Sequence, residues 1–84
     1  MSYALAFKPS AEKELRKLSR DVIPRIIAAI QALGEQPRPH GCVKMSHSES
    51  WRIRIGDYRV IYDIDDRMQQ VVVLHVGHRR EVYR

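Results

Sequence analysis

The chain has little from which to build a covalently braced or cofactor-bearing protein. Of its 84 residues one is cysteine, Cys42, so no intrachain disulfide can form. A secreted domain of this size would ordinarily need several. No apolar run approaches the ~18 residues of a membrane span. The opening Met-Ser-Tyr-Ala-Leu-Ala-Phe-Lys-Pro has neither the apolar core nor the cleavage pattern of a signal peptide. The expectation is a cytoplasmic protein that does not engage membranes. There is room for one domain, residues 1–84, and none for a dinucleotide-binding fold. P-loop and G-x-S-x-G motifs are missing. One Cys with scattered His lacks the paired spacing of a zinc site, so His40 and His47 receive no role. Asp63, Asp65 and Asp66 suit Mg²⁺ and equally suit a turn. No metal and no cofactor is expected.

Lysine is scarce as well. The four lysines are Lys8, Lys13, Lys17 and Lys44, against eleven arginines. The formal net charge is +5 and the pI about 9.8. A basic excess of this size suggests a polyanionic partner and equally serves solubility. The choice of arginine is more informative, because its planar fork matches phosphate. Apolar residues make up 44%, enough for a core.

The pattern predicts an α+β chain in the order β-α-α-β-β-β. Ser2 to Phe7 alternates with period two and stops at Lys8-Pro9. Ser10 is the expected N-cap of a helix through about Leu18, whose apolar stripe is Ala11, Leu15 and Leu18. Asp21 is the expected cap of a second helix with Pro24 in its first turn. There Ile23, Ile26, Ile27, Ile30 and Leu33 repeat at helical spacing, and Gly34 is the expected terminator. The short Ser19-Arg20 junction predicts a helical hairpin, packed on a small, mainly antiparallel sheet. Glu35 to Ser48 reads as loop, with Pro37, Pro39 and Gly41 as breakers. Strands follow from about Trp51 to Ile55, from Tyr58 to Ile64 and from Gln70 to Val76, ended by Gly77.

Gly56-Asp57 predicts a two-residue type II′ turn. That turn pairs Ile55 with Tyr58, Arg54 with Arg59 and Arg52 with Ile61. Paired residues share a face. Trp51, Ile53, Ile55, Tyr58, Val60, Tyr62 and Ile64 therefore form an apolar face toward the helices, while Arg52, Arg54 and Arg59 occupy the other. Like charges directly opposite destabilise a sheet. A bound phosphate backbone would account for the Arg54–Arg59 pair; neutralisation by Glu49, Asp57 or Asp63 is the plain alternative. In the tail, His78, Arg79 and Arg80 stand at a strand end and Tyr83 follows. His78 is a candidate acid or base.

Two segments together, Trp51-Arg52-Ile53-Arg54-Ile55-Gly56-Asp57-Tyr58-Arg59-Val60-Ile61-Tyr62 and Val76-Gly77-His78-Arg79-Arg80-Glu81-Val82-Tyr83, resemble the RelE family of bacterial type II toxin–antitoxin toxins, part of the RelE/ParE superfamily. The resemblance extends over essentially the whole chain. It implies a small cytoplasmic endoribonuclease, independent of metal, that cuts mRNA in the ribosomal A site and stops translation. It implies a cognate antitoxin that binds the toxin in a hetero-oligomer and holds it inactive. By position it matches Arg52, Arg54, Arg59 and Arg79 to basic residues of the family and Tyr83 to its tail tyrosine; Arg59, Arg79 and Tyr83 are then the candidate catalytic residues, and Arg52 and Arg54, with Arg80 of the same tail, the candidate RNA-binding ones. Arginine stands at 52 and 54 where the family commonly has lysine. A guanidinium does not readily surrender a proton, so His78 is left as acid or base. The alternatives are a ParE-like toxin that inhibits DNA gyrase, a non-catalytic RNA-binding module, and a degenerate toxin that serves only as the antitoxin's partner. An RNA-binding module would place stacking aromatics among its arginines, whereas here they fall on the other face.

Overall fold

The computed structural model describes residues 2–78. The elements are β1 (Ala4–Phe7), α1 (Pro9–Arg16), α2 (Ile23–Glu35), β2 (Val43–Lys44), β3 (Trp51–Ile55), β4 (Tyr58–Asp65) and β5 (Gln70–His78). They form one five-stranded sheet in the order β1-β5-β4-β3-β2. Only β1 and β5 run parallel; the other neighbours are antiparallel. Both helices pack on the sheet, α1 along β5 and β1, α2 across β1, β3 and β5. Among the described residues, no helix is long and apolar enough to cross a membrane.

The helix starts differ from the expectation. Lys8, extended at φ −62° and ψ 139°, is the N-cap of α1 and supplies no side-chain bond. Pro9 takes the first turn, where a missing N–H costs nothing because no intrahelical acceptor exists there. Ser10 is thus inside the helix. Asp21 likewise precedes α2 without capping it: Val22 is the N-cap, and the Val22 and Ile23 amides donate to Ser19 O. Pro24 sits in the first turn as expected. Backbone carbonyls do the work that side-chain caps would do: Lys8 O accepts the Ala11 and Glu12 amides of α1, and the turn at Ser19 serves α2.

Gly34 does not end α2, which continues to Glu35. Its carbonyl accepts the Tyr3 amide at 2.6 Å, and a Cβ there would stand 3.2 Å from Tyr3 O. The glycine is needed for close approach of the first strand, and the helix stripe is narrower than its sequence period. Ile26, Ile30 and Leu33 are buried, whereas Ile27 is exposed.

Within the expected loop, Val43 and Lys44 pair with Arg52 and Trp51 as the short edge strand β2. Two residues carry no readable period. The last strand also runs further than expected. Gly77 stays in the ladder opposite Arg59, and His78 pairs with Tyr58.

The core lies between the sheet and the helices. Ala11, Leu15, Val22, Ile26, Ile30 and Leu33 meet Ile53, Val60, Tyr62, Val71, Val73 and Val76. Trp51, Ile55, Tyr58 and Ile64 pack against them, so the apolar face of the β3–β4 hairpin is the one expected. Burial of such side chains contributes ~1.5–3 kcal/mol each before entropy is charged against it.

Candidate active site

The hairpin positions the site. Gly56 has φ +60° and Asp57 is not in the positive-φ region, as a type II′ turn requires. The register follows as expected: Ile55↔Tyr58, Arg54↔Arg59, Ile53↔Val60, Arg52↔Ile61. Arg52, Arg54 and Arg59 therefore share the sheet face turned away from the helices.

β5 completes this face. Arg59 pairs with Gly77 and Ile61 with His75. Two cross-strand rows result, Arg54–Arg59–Gly77 and Arg52–Ile61–His75. Gly77 offers no side chain beside Arg59, and both residues are buried. Ile61 is only 5% exposed yet stands apart from the main core cluster, and it makes an apolar floor between basic side chains. The register shifts between Ile61 and Tyr62, which pair with His75 and Val73. Leu74 is the extra residue of this bulge. Bulges bend a strand and redirect side chains.

The guanidiniums are held by backbone. Arg54 Nε donates to Gly56 O at 3.1 Å. Arg59, 9% exposed, donates from Nη1 to Tyr58 O at 3.2 Å and to Gly56 O at 3.5 Å. Among the described residues, no carboxylate forms a salt bridge with Arg54 or Arg59. Asp63 accepts from Ser50 Oγ at 2.7 Å, and Glu49 lies 3.4 Å from Lys44 Nζ. Two like charges directly opposite, steered by neutral acceptors, leave N–H donors for an anion.

His78 falls on the other face. Its partner Tyr58 belongs to the core-facing set, and the two rings meet edge to face with centroids 5.7 Å apart. It borders a cleft of about 450 Å³ under α1, with Glu14, Lys17 and Ser19. The arginine row and His78 are thus not brought together, because residue 78 is one position out of phase with Gly77. Arg79, Arg80 and Tyr83 lie outside the described residues.

Two basic residues were missed by the sequence reading. His75 enters the arginine face through strand pairing alone. Arg25, from α2, reaches the hairpin turn: a Cβ on Gly56 would stand 3.5 Å from its Nη2. No local pattern signals either one.

At the opposite end of the hairpin a separate polar network braces the sheet. Arg38 makes a two-point bond to Asp66, at 3.1 and 2.8 Å, and stacks 5.1 Å from the Trp51 ring centre. Tyr3 donates to Asp66 Oδ1 at 2.7 Å. The Arg38 bonds hold the Asp66 carboxyl down at about 2, and the bond to Asp66 raises the Tyr3 phenol and the Arg38 guanidinium. Tyr62, fully buried, donates to Pro37 O at 2.7 Å; burial, then the Cys42 thiol, pushes its phenol far up. Its hydroxyl stays protonated and pins the 36–42 segment. Among the described residues, no three His, Cys, Asp or Glu side chains converge as metal ligands do.

Known proteins are similar to this chain in sequence and in fold. A family model described as the ParE toxin of type II toxin–antitoxin system, parDE, matches residues 5–83. Toxin RelG of Mycobacterium tuberculosis is 38% identical over 90 residues, covering 100% of this chain and 99% of the relative. The toxin–antitoxin complex RelBE2 of M. tuberculosis contains a chain that superposes with a TM-score of 0.83 at 28% identity, over 94% of this chain and 100% of that one. The isolated RelE toxin of E. coli gives 0.81 at 30% identity, over 98% and 92%.

Proposed function

Because the chain belongs to the RelE/ParE superfamily of type II toxin–antitoxin toxins and has a cognate antitoxin as partner, we propose that it is a metal-independent endoribonuclease that cuts mRNA in the ribosomal A site. All 84 residues act as one toxin domain in the cytoplasm, without a cofactor. The observation that carries this reading is the Arg54–Arg59 pair, with Arg52 in the next row and no salt bridge to Arg54 or Arg59 among the described residues.

RNA supplies its own nucleophile. The 2′-oxygen attacks the adjacent phosphorus, the P–O5′ bond breaks, and a 2′,3′-cyclic phosphate and a 5′-hydroxyl result. Charge builds on the non-bridging oxygens as five oxygens surround phosphorus. Arg59 and Arg79 are the groups that stabilise that charge in this reading. Both groups remain protonated throughout. Arg52, Arg54 and Arg80 hold the flanking phosphates. Tyr83 orients the base by stacking and assists proton transfer. His78, on the helical face, is left out of the reaction.

The test is cleavage mapping on a translated mRNA in cells, with the toxin induced with and without its antitoxin. Cuts within codons at the A site, absent with antitoxin, are expected. Arg59→Ala at equal expression should slow cleavage about 10²–10³-fold, the loss typical when an oxyanion donor is removed. Intact mRNA in arrested cells refutes the reading. A second reading, inhibition of DNA gyrase, is favoured by the ParE toxin description of the matching family. A supercoiling assay with purified toxin separates the two.

A further inference from the structure

Attack by the 2′-oxygen needs a group that takes its proton. Arg52, Arg54 and Arg59 cannot act as bases at neutral pH. His78 stands on the helical face, and His40 and His47 lie in the segment between α2 and β3. The histidine that strand pairing brings to this face is His75, opposite Ile61.

We propose that His75, oriented by Glu14, is the general base of the arginine face and takes the proton of the 2′-hydroxyl through Nε2. This inference rests on the nuclease reading. Three observations lead to it.

The first is position. Gly77 is the partner of Arg59, so His75, two residues earlier on β5, is its diagonal neighbour. Diagonal neighbours stand about 7–8 Å apart, within the span of one nucleotide; the Arg59 guanidinium itself leans toward the turn, to Gly56 O. Arg52 ends the same row at the other side of Ile61.

The second is orientation. His75 Nδ1 lies 3.5 Å from Glu14 Oε1, and that same oxygen accepts the Val76 amide at 3.2 Å. Among the described residues no strand lies beside this edge of β5 beyond Val73, where its pairing with Phe7 of β1 ends. Glu14 reaches this edge from α1 and occupies it. A carboxylate fixed in this way engages one ring nitrogen, which directs the proton to Nδ1 and leaves Nε2 as the acceptor. It also stabilises the imidazolium formed when the proton arrives. Glu14 is a positioning residue here, because it acts through His75.

The third is access. The bulge at Leu74 turns the strand at this point, and the His75 side chain is 47% exposed. A structural histidine in a packed strand would be covered; this one is reachable by RNA on one side and tied on the other.

The step balances. The 2′-O–H bond breaks, its proton goes to Nε2, the 2′-O–P bond forms and the P–O5′ bond breaks. The departing 5′-oxygen takes a proton from water. No oxidant, metal or further reactant is consumed.

The test uses the full chain released from its antitoxin, with programmed ribosomes carrying mRNA in the A site, under single turnover. His75→Ala should lower the cleavage rate about 10²–10⁴-fold while half-saturation changes less than threefold, and added imidazole should restore part of the rate. Glu14→Gln, which keeps an acceptor for the Val76 amide, should lower the rate about tenfold without changing half-saturation. Cleavage by His75→Ala at the wild-type rate overturns the inference. A loss that imidazole does not restore, in a variant that still binds its antitoxin, also overturns it and makes the role structural. A wild-type chain that leaves mRNA intact on the ribosome removes the nuclease reading itself, and the inference with it. Arg59→Ala, assayed alongside with imidazole, must show no restoration.

Discussion

Arg54→Glu should make the protein more stable and abolish its proposed activity. Arg54 and Arg59 are directly opposed across β3 and β4, with Cβ atoms about 4.5–5.5 Å apart in such a pair. Two unit charges about 6 Å apart in a water-like medium repel by roughly 0.7 kcal/mol. The Glu variant replaces repulsion with attraction. Discounted for the exposure of residue 54, the gain should be about 0.5–1 kcal/mol. The bond from Arg54 Nε to Gly56 O is lost, but that carbonyl lies in an exposed turn, where water replaces the donor. For a domain of this size the midpoint of thermal unfolding should rise about 2–8 °C. The assay is calorimetry or circular dichroism at low salt and again at 1 M salt. The gain should shrink at high salt, where charges are screened beyond roughly 3 Å. Cleavage of ribosome-bound mRNA should be lost in the same variant, because a carboxylate now meets the phosphate. Arg54→Gln should give an intermediate gain. A destabilised Arg54→Glu protein would refute the reasoning, since the opposed arginines would then be a structural device and not a cost borne for an anionic ligand.

Three further outcomes follow from the structure. Tyr62→Phe should cost about 1–2 kcal/mol in urea unfolding with an unchanged m-value, because the buried Pro37 carbonyl loses the hydroxyl that donates to it. Gly56→Ala should cost about 1–2 kcal/mol, since φ +60° is strained for a residue with a Cβ; because the turn sets the register of Arg54 and Arg59, cleavage should fall further than stability. The Asp66 carboxyl is depressed to about 2 from 3.8 by Arg38 and Tyr3. Its stabilising contribution is therefore present above pH 3.8 and lost as pH falls toward 2. Thermal midpoints of the wild type should drop more steeply across that window than those of Asp66→Asn, and equal slopes would show that the network contributes nothing.

The hairpin was legible in full. A Gly-first two-residue turn dictates its own pairing, and a period of two then assigns Trp51 to one face and Arg52 to the other before any contact is known. The strand and helix content was legible for the same reason: local periodicity reports which side is buried. Capping was not. Ser10 and Asp21 have the right chemistry, but Pro9 and the Ser19 turn start the helices, since the chain must leave β1 and α1 in particular directions. Gly34 has the composition of a terminator, and only the arrival of Tyr3 shows that it serves close approach.

What the sequence by itself determined is the arginine face and the family to which it belongs. Arginine placement depends on neighbours one and two residues away, and the turn carries that placement across two strands. What only the tertiary structure decided is which histidine joins the arginines. His78 is adjacent to Arg79 in sequence and looked like the natural partner, yet one residue of phase puts it under α1. His75 belongs to an apolar run and gave no local signal. Its place depends on the pairing of β5 with β4, on the bulge at Leu74 and on Glu14, 61 positions away along the chain. Pairing across a sheet is a long-range event, and no period in the chain encodes it.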